Sequence, residues 1–316
     1  MIRARGLVKR YGRFTAVDGI DLRIMPGEIY GFLGPNGAGK TSTIMMLLGI
    51  SRPTAGEVSL FGEPFTAARL DLRRRIGVVP EKHPRGVWQW MTAADYLGMF
   101  ARLFRVPRAA ERISALLEKV DLARARDTLI REFSHGMLQK LSISRALLHD
   151  PDILFLDEPI SGLDPIGIKQ TRDLLLSENR AGRAIFISSH QLSEMERICH
   201  RVAIISRGRL LAEDSMAGLL ARIGGGREIH VELERVPDDL AASLEVLPFV
   251  RAVRVMTGSL AVRVEPDGDH RKAVSEHLFR RGLVPLRIEV KSPSLEEAFI
   301  TITQDTVASL ASRAAT

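Results

Sequence analysis

A chain of 316 residues with 45% hydrophobic and 26% charged side chains can bury one large core or two medium ones, which excludes a disordered or fibrous polypeptide. The 45 Lys and Arg against 38 Asp and Glu give a formal net charge of +7. The basic residues are interleaved with acids along the whole chain and no basic cluster carries aromatics, so nucleic acid is not an expected partner.

The single cysteine, Cys199, excludes an intrachain disulfide and points to a reducing compartment. The N-terminal Met1-Ile2-Arg3-Ala4-Arg5 has no apolar signal core. The longest apolar run, Ile44 to Ile50, falls far short of the roughly 20 residues that span a bilayer. These features predict a soluble chain, with any membrane role supplied by a partner.

In chain order, Ala16-Val17 and Ile20 to Ile24 read as strands closed by the turn Pro26-Gly27. Ile29 to Leu33 is a short buried strand, followed at once by a glycine-rich loop and an apolar helix through Leu48. From Thr92 to about Leu148 the pattern turns helical. Leu97, Phe100, Ala101 and Phe104 recur at helical spacing, Pro107 ends that helix, and Ile113, Leu116, Leu117 and Val120 form a second stripe. Ile153 to Leu156 is apolar throughout, and Ala184 to Ser188 and Val202 to Ser206 are apolar up to a closing serine, as strands of a central parallel sheet are. Gly224-Gly225-Gly226 is a linker signal. Beyond it, strands at 228–234, 250–255, 260–264 and 286–290 alternate with helices at 271–281 and 294–301, a small α+β appendage.

Gly34-Pro35-Asn36-Gly37-Ala38-Gly39-Lys40-Thr41, between that strand and helix, satisfies G-x-x-x-x-G-K-[ST], followed by Ser42. Glycines let the backbone curl so that N–H groups point at phosphate oxygens, and the helix N-terminus adds positive charge. Lys40 is then expected to bridge the β- and γ-phosphates of ATP, and Thr41 to supply a hydroxyl to Mg²⁺. Ile153-Leu154-Phe155-Leu156-Asp157-Glu158 ends a buried strand on two carboxylates. Asp157 is placed for the Mg²⁺ shell and Glu158 for an attacking water.

With these motifs in place, Phe133-Ser134-His135-Gly136-Met137-Leu138-Gln139-Lys140 resembles the signature of ABC ATPases, usually Leu-Ser-Gly-Gly-Gln. Ser161-Gly162-Leu163-Asp164 resembles the D-loop, His190 the switch histidine, and Tyr11 the aromatic that stacks on adenine. The resemblance covers about residues 2–220. It implies an α/β fold of the ABC-type P-loop NTPase: a β-rich ATP-binding core (1–223) with a helical subdomain (about 92–148), followed by a small α+β domain (227–303) and a tail (304–316).

The resemblance further implies a head-to-tail dimer, a homodimer or one with a related ATPase subunit, in which each ATP is held by one chain's P-loop and the other's signature. Ser134 and Gly136 would meet the γ-phosphate across the interface, Glu158 would act as general base, His190 would contact the γ-phosphate, and Asp164 would link the two sites. It implies coupling to a separate transmembrane permease, hence a cytoplasmic subunit peripheral to the inner face of the cell membrane. The tail ending Ser294-Leu295-Glu296-Glu297-Ala298-Phe299 resembles the C-terminal domain of type-2 exporters, which implies export.

Three positions depart from the family pattern. His135 replaces a glycine, Met137 a glutamine, and Glu81, after Ile76-Gly77-Val78-Val79-Pro80, replaces the Q-loop glutamine. Glu81 can still contact Mg²⁺ or its water; His135 reads either as an exposed signature side chain or as a pH-responsive group. Trp88 and Trp90 either anchor a permease contact or fill the helical subdomain. The alternatives to a transport ATPase are a non-transport ABC protein (translation or DNA repair) and, more remotely, a P-loop kinase. One ATPase domain and no sustained heptads between P-loop and signature count against the first, and the signature against the second.

Overall fold

The structure, a computed structural model, describes residues 1–66, 68–82, 86–222, 227–265, 268–291 and 294–303. The glycine run Gly224–Gly226 and the tail 304–316 lie outside the described residues. The chain divides into two compact units, Met1–Ser215 and Met216–Thr316.

The first unit begins with β1 (Ile2–Tyr11), β2 (Phe14–Ile24), β3 (Ile29–Leu33), α1 (Lys40–Leu47), β4 (Ala55–Leu60), β5 (Glu63–Pro64), α2 (Leu70–Arg73) and β6 (Ile76–Val79). A helical layer follows: α3 (Ala93–Phe104), α4 (Ala109–Lys119) and α5 (His135–Leu147). The chain then returns through β7 (Ile153–Asp157), α6 (Pro165–Arg180), β8 (Ala184–Ser189), α7 (Leu192–Ile198), β9 (Arg201–Ser206) and β10 (Arg209–Ser215).

Two sheets result. One is antiparallel, ordered β2-β1-β4-β5; the other, ordered β10-β9-β3-β8-β7-β6, is parallel from β9 to β6 and closed by antiparallel β10. Strands β3, β7 and β8 are buried on both faces, which is why their sequences are apolar without alternation. Ile2, Leu7 and Val17 from the first sheet, Tyr30, Phe32, Phe155 and Phe186 from the second, and Ile44 and Leu47 of α1 share one core. Each such side chain contributes roughly 1.5–3 kcal/mol by leaving water. Helix α1 is therefore clamped between two sheets, and the loop at its N-terminus is held at the C-terminal edge of the parallel sheet, where open α/β sheets bind ligands.

The helical layer is tied to the sheet by charge and by rings. Glu178 of α6 is 2% exposed and paired with Lys119 of α4 and, at 2.7 Å, with Arg183. Arg183 also reaches Asp150 at 2.5 Å, and Arg112 of α4 donates to Leu147 O at 2.8 Å. Such a pair is costly to break, because the buried carboxylate would stay behind unpaired. Arg145 of α5 donates to Val78 O of β6 (3.0 Å) and to the Tyr96 hydroxyl (3.1 Å). Trp88 packs edge-on against Tyr96 at 5.8 Å and beside Phe100 at 6.0 Å, so it belongs to the interior of this layer. Trp90 is 68% exposed, with the Arg131 guanidinium 4.6 Å above its ring. Of the two tryptophans, Trp90 is the more exposed to a partner.

The second unit holds α8 (Met216–Arg222), β11 (Arg227–Glu232), α9 (Leu240–Glu245), β12 (Val250–Met256), β13 (Ser259–Val264), α10 (Arg271–Arg280), β14 (Arg287–Lys291) and a helix over 295–303. Its antiparallel sheet is ordered β12-β13-β11-β14, so that β13 lies between β11 and β12 and β11 between β13 and β14. From β11 to β14 this is the β-α-β-β-α-β ferredoxin-like pattern of two interleaved split units. Ile229, Val231, Leu260 and Val262 face α9 and α10 through Leu240, Leu244, Val274 and Leu278. Among the described residues no helix is long and apolar enough to cross a membrane.

Candidate functional site

The glycine-rich loop turns sharply on two left-handed glycines, Gly37 at φ 79° and Gly39 at φ 106°. Gly39 also packs where no side chain fits, since a Cβ there would lie 2.5 Å from Ala16 O; at Gly34 it would lie 2.4 Å from Ile205 O. The loop is closed by Ala38 N donating to Pro35 O (3.1 Å) and sewn to the sheet by Gly208 N donating to Ala38 O (2.9 Å). No side chain caps α1, and no acid lies in its first turn. Its first N–H groups and its partial positive charge are left for an anion.

Lys40 is 7% exposed. Its ammonium donates to Gly34 O (2.7 Å) and sits 3.3 Å from the Glu158 Oε1, an ion pair without hydrogen-bond alignment. The other Glu158 oxygen accepts from His190 Nδ1 at 2.8 Å and from His190 N at 3.3 Å. Glu158 itself has φ 51°, a left-handed conformation for a non-glycine residue. That turn, which costs roughly 1–2 kcal/mol, is fixed by Glu158 N donating to Ser188 O at 3.0 Å. It breaks the strand alternation so that Asp157 and Glu158 face one cleft. Asp157 accepts from Ser188 Oγ at 2.5 Å and from Thr41 Oγ1 at 3.4 Å.

The result is a cleft of about 690 Å³ lined by Tyr11, Phe14, Ala16, Asn36, Gly37, Gly39, Lys40, Thr41, Ser42, Glu81, Asp157, Glu158, Ser161 and His190. Most of the residues expected from sequence are gathered here. Gly34, Pro35 and Ala38 support the loop from behind: the first two offer backbone carbonyls to Lys40, and Ala38 is buried. Ser134, Gly136 and Asp164 do not line the cleft. Ser134 caps α5, accepting from Met137 N at 3.3 Å, and Asp164 caps α6, accepting from Gly167 N at 2.7 Å. Phe14, Ala16 and Ser161 join the lining unforeseen. Phe14 pairs across the β1–β2 hairpin with Tyr11, a register the two-residue loop Gly12-Arg13 could have signalled. Both rings are exposed, at 50% and 64%, and Lys9 Nζ lies 5.2 Å over Tyr11.

A planar aromatic, a nest of N–H groups beside Lys40, and a carboxylate–histidine pair lining one cleft match the parts of a nucleoside triphosphate in outline. The Mg²⁺ donors present are one hydroxyl, Thr41, and the carboxylates of Asp157 and Glu81, all hard oxygen ligands. Among the described residues no group of three or more His, Cys, Asp or Glu could hold a metal ion. This donor set fits Mg²⁺ that takes its remaining ligands from phosphate and water.

Comparison with known proteins agrees. The family model described as ABC transporter matches residues 17–161. Nod factor export ATP-binding protein I of Burkholderia pseudomallei (strain K96243) is 36% identical over 304 residues, covering 93% of this chain and 94% of that protein. Bacitracin transport ATP-binding protein BcrA of Bacillus licheniformis is 36% identical over 304 residues, covering 96% of this chain and 97% of that one. A solved ATP-binding subunit of an ABC transporter superposes with a TM-score of 0.65 at 27% identity, over 71% of this chain and 93% of its own. The chain belongs to the ATP-binding subunits of ABC transporters, P-loop ATPases of α/β fold whose reaction is ATP hydrolysis.

Proposed function

We propose that two copies of this chain, or one copy and a related subunit, close head to tail around two ATP molecules and drive a separate membrane permease in the direction of export. The observation that carries the reading is the convergence of Lys40, Glu158 and His190 in the cleft, while Ser134 and Gly136 lie outside it. A nucleotide site that leaves its signature residues elsewhere calls for a second chain to bring them. Export is supported by a relative named for Nod factor export, and transport by one named for bacitracin transport, both matching nearly the whole chain. Those names also leave the non-transport alternatives without support. The subunit would then sit at the inner face of the cell membrane, held by the permease.

In the proposed reaction Tyr11 and Phe14 hold the adenine, and the α1 N-terminus and Lys40 hold the phosphates. Glu158 takes a proton from water as the water oxygen bonds to the γ-phosphorus, and the bond from that phosphorus to the bridging oxygen breaks, leaving ADP and phosphate. His190, bonded to Glu158 at 2.8 Å, keeps the carboxylate aimed, and its ring would contact the γ-phosphate. Thr41, Asp157 and Glu81 would hold Mg²⁺, which neutralises phosphate charge when bound. Sedimentation of Glu158→Gln with and without ATP tests the reading. An ATP-dependent dimer is expected, and a persistent monomer would contradict it.

A further inference from the structure

The signature helix, which the preceding reading brings to the other chain's nucleotide, and the D-loop, whose Ser161 lines this chain's own cleft, touch within one chain. His135, the first residue of α5, places Nε2 2.9 Å from the carbonyl oxygen of Ser161. A carbonyl only accepts, so Nε2 carries the hydrogen. Resting on the two-chain reading, we infer that His135 is a positioning residue: it ties the signature to the D-loop, so that engagement of one ATP is transmitted to the base that activates water at the other.

Three features make this contact a built one. Gly162 has φ +72°, and a Cβ on it would lie 3.1 Å from Nε2, so the loop offers its one side-chain-free residue where the imidazole approaches. Leu163 Cδ2 comes within 4.0 Å of where a Cβ on Gly136 would stand, a second meeting of the same two segments. The loop is anchored at both ends to working parts: Ser161 N donates to Glu158 O at 3.2 Å, and Asp164 caps α6. Ser161 also lines this chain's own cleft, whereas Ser134 and Gly136, on either side of His135, do not.

The mechanical consequence follows from the connectivity. A phosphate drawn to the N–H groups of the first turn of α5 displaces His135 with that turn. The hydrogen bond passes the displacement to Ser161 and thence to Glu158, one tight turn away. The contact is solvent-exposed, so it contributes little to stability compared with the buried core. Its consequence lies in coupling. Where the family usually has glycine at this position no side chain could make the link, and coupling must run by another route.

The test uses the full-length chain with His135→Leu, which keeps bulk without a donor, and His135→Gln, whose amide can still donate to Ser161 O. Gly162→Ala disturbs the same contact from the loop side. Thermal midpoint, affinity for trinitrophenyl-ATP, and ATP hydrolysis as a function of ATP concentration are measured for each. The expected result for His135→Leu is a Hill coefficient falling toward 1 and kcat lowered about five- to tenfold. Its thermal midpoint and nucleotide affinity stay close to wild type, and Gln restores most of both losses. Equal behaviour of Leu and wild type, or of Leu and Gln, overturns the inference, as does a wild-type Hill coefficient of 1 or a matching loss of nucleotide affinity. ATP-dependent dimerisation of Glu158→Gln serves as the separate control: its failure sinks the two-chain reading itself, while its success with unchanged His135 variants sinks only the coupling.

Discussion

Lys40 and Glu158 hold each other in the heart of the cleft, Nζ to Oε1 at 3.3 Å, with side chains only 7% and 8% exposed. Two opposite charges so far from water stabilise one another, and removing either strands the other. On the proposed reaction, an incoming triphosphate would compete for the ammonium and free one oxygen of the carboxylate, the other being bonded to His190. In that proposed reaction the pair would make exposure of Glu158 depend on the arrival of substrate phosphates.

Replacing Glu158 with Gln removes the proton acceptor and one negative charge beside the phosphates. Phosphate release is expected to fall by about 10²–10⁴-fold, the usual worth of a general base. ATP affinity should hold or tighten, because the repulsion is gone. Nucleotide binding measured beside phosphate release checks both halves. Weaker ATP binding together with retained hydrolysis would remove Glu158 from this role.

Tyr11 and Phe14 form the aromatic end of the cleft and are exposed at 50% and 64%, so little of the fold rests on them. Stacking of a base on a ring is worth about 1–3 kcal/mol. Tyr11→Ala is expected to raise the KM for ATP by about tenfold with a smaller change in kcat and an unmoved thermal midpoint. Phe14→Ala should act in the same direction. A KM unchanged in both variants would place the adenine elsewhere.

The two tryptophans should separate stability from docking. Trp88→Ala opens a gap beside Tyr96 and Phe100. For a half-buried ring the expected loss is about 2 kcal/mol, a fall in thermal midpoint of roughly 4–8 °C for a unit of this size. Trp90→Ala removes only an exposed ring and its contact with Arg131, so its midpoint should stay within a degree or two of wild type. Co-purification with the permease is expected to suffer in Trp90→Ala. Intact co-purification there would exclude Trp90 as an anchor.

His149 gives the helical layer a sensitivity to acid. Its Nε2 bonds Ile76 O at 2.9 Å and its ring stacks on Phe104 at 4.2 Å. Burial lowers its pKa from 6.5, and Arg183 and Arg112 push the same way against the opposing pull of the Ile76 carbonyl and of Asp150. The folded state therefore resists a proton that the unfolded chain accepts. This contribution to stability is complete above about pH 6.5 and is lost as pH falls from there through the lowered folded pKa. His149→Phe keeps the stack without the titration. Thermal midpoints at pH 7.5 and 5.5 should differ less in this variant than in wild type, and an equal difference would assign the acid sensitivity to other groups.

Much of the nucleotide-binding loop was legible in the chain because its determinants are local. Glycines at fixed spacing, a lysine and a hydroxyl after them, and a buried strand before them specify the turn wherever it is placed. The doubly buried strands were legible for the same reason, their uniform apolarity leaving no face for water. Helix α6 was not foreseen. Only Thr171, Leu175 and Glu178 of its residues are buried, so it shows no broad apolar stripe. Its start was signalled all the same, by Asp164 as cap and Pro165 at the first position. Strand β4 was missed too, since Ala55, Gly56 and Glu57 are exposed and only Val58 and Leu60 mark a buried face. Neither tryptophan declared from sequence which way it turned.

By itself, then, the sequence determined an ATP-binding P-loop, its flanking strand and helix, the order of the remaining motifs, and the family these imply. The tertiary structure alone decided the meetings between distant segments: Lys40 with Glu158, Thr41 with Asp157, Tyr11 with Phe14 as one wall, and His135 with Ser161. The physical reason is that such contacts depend on strand order and helix placement. Both are set by the burial of a whole core, and no local pattern records which side chains that burial will bring within hydrogen-bond reach.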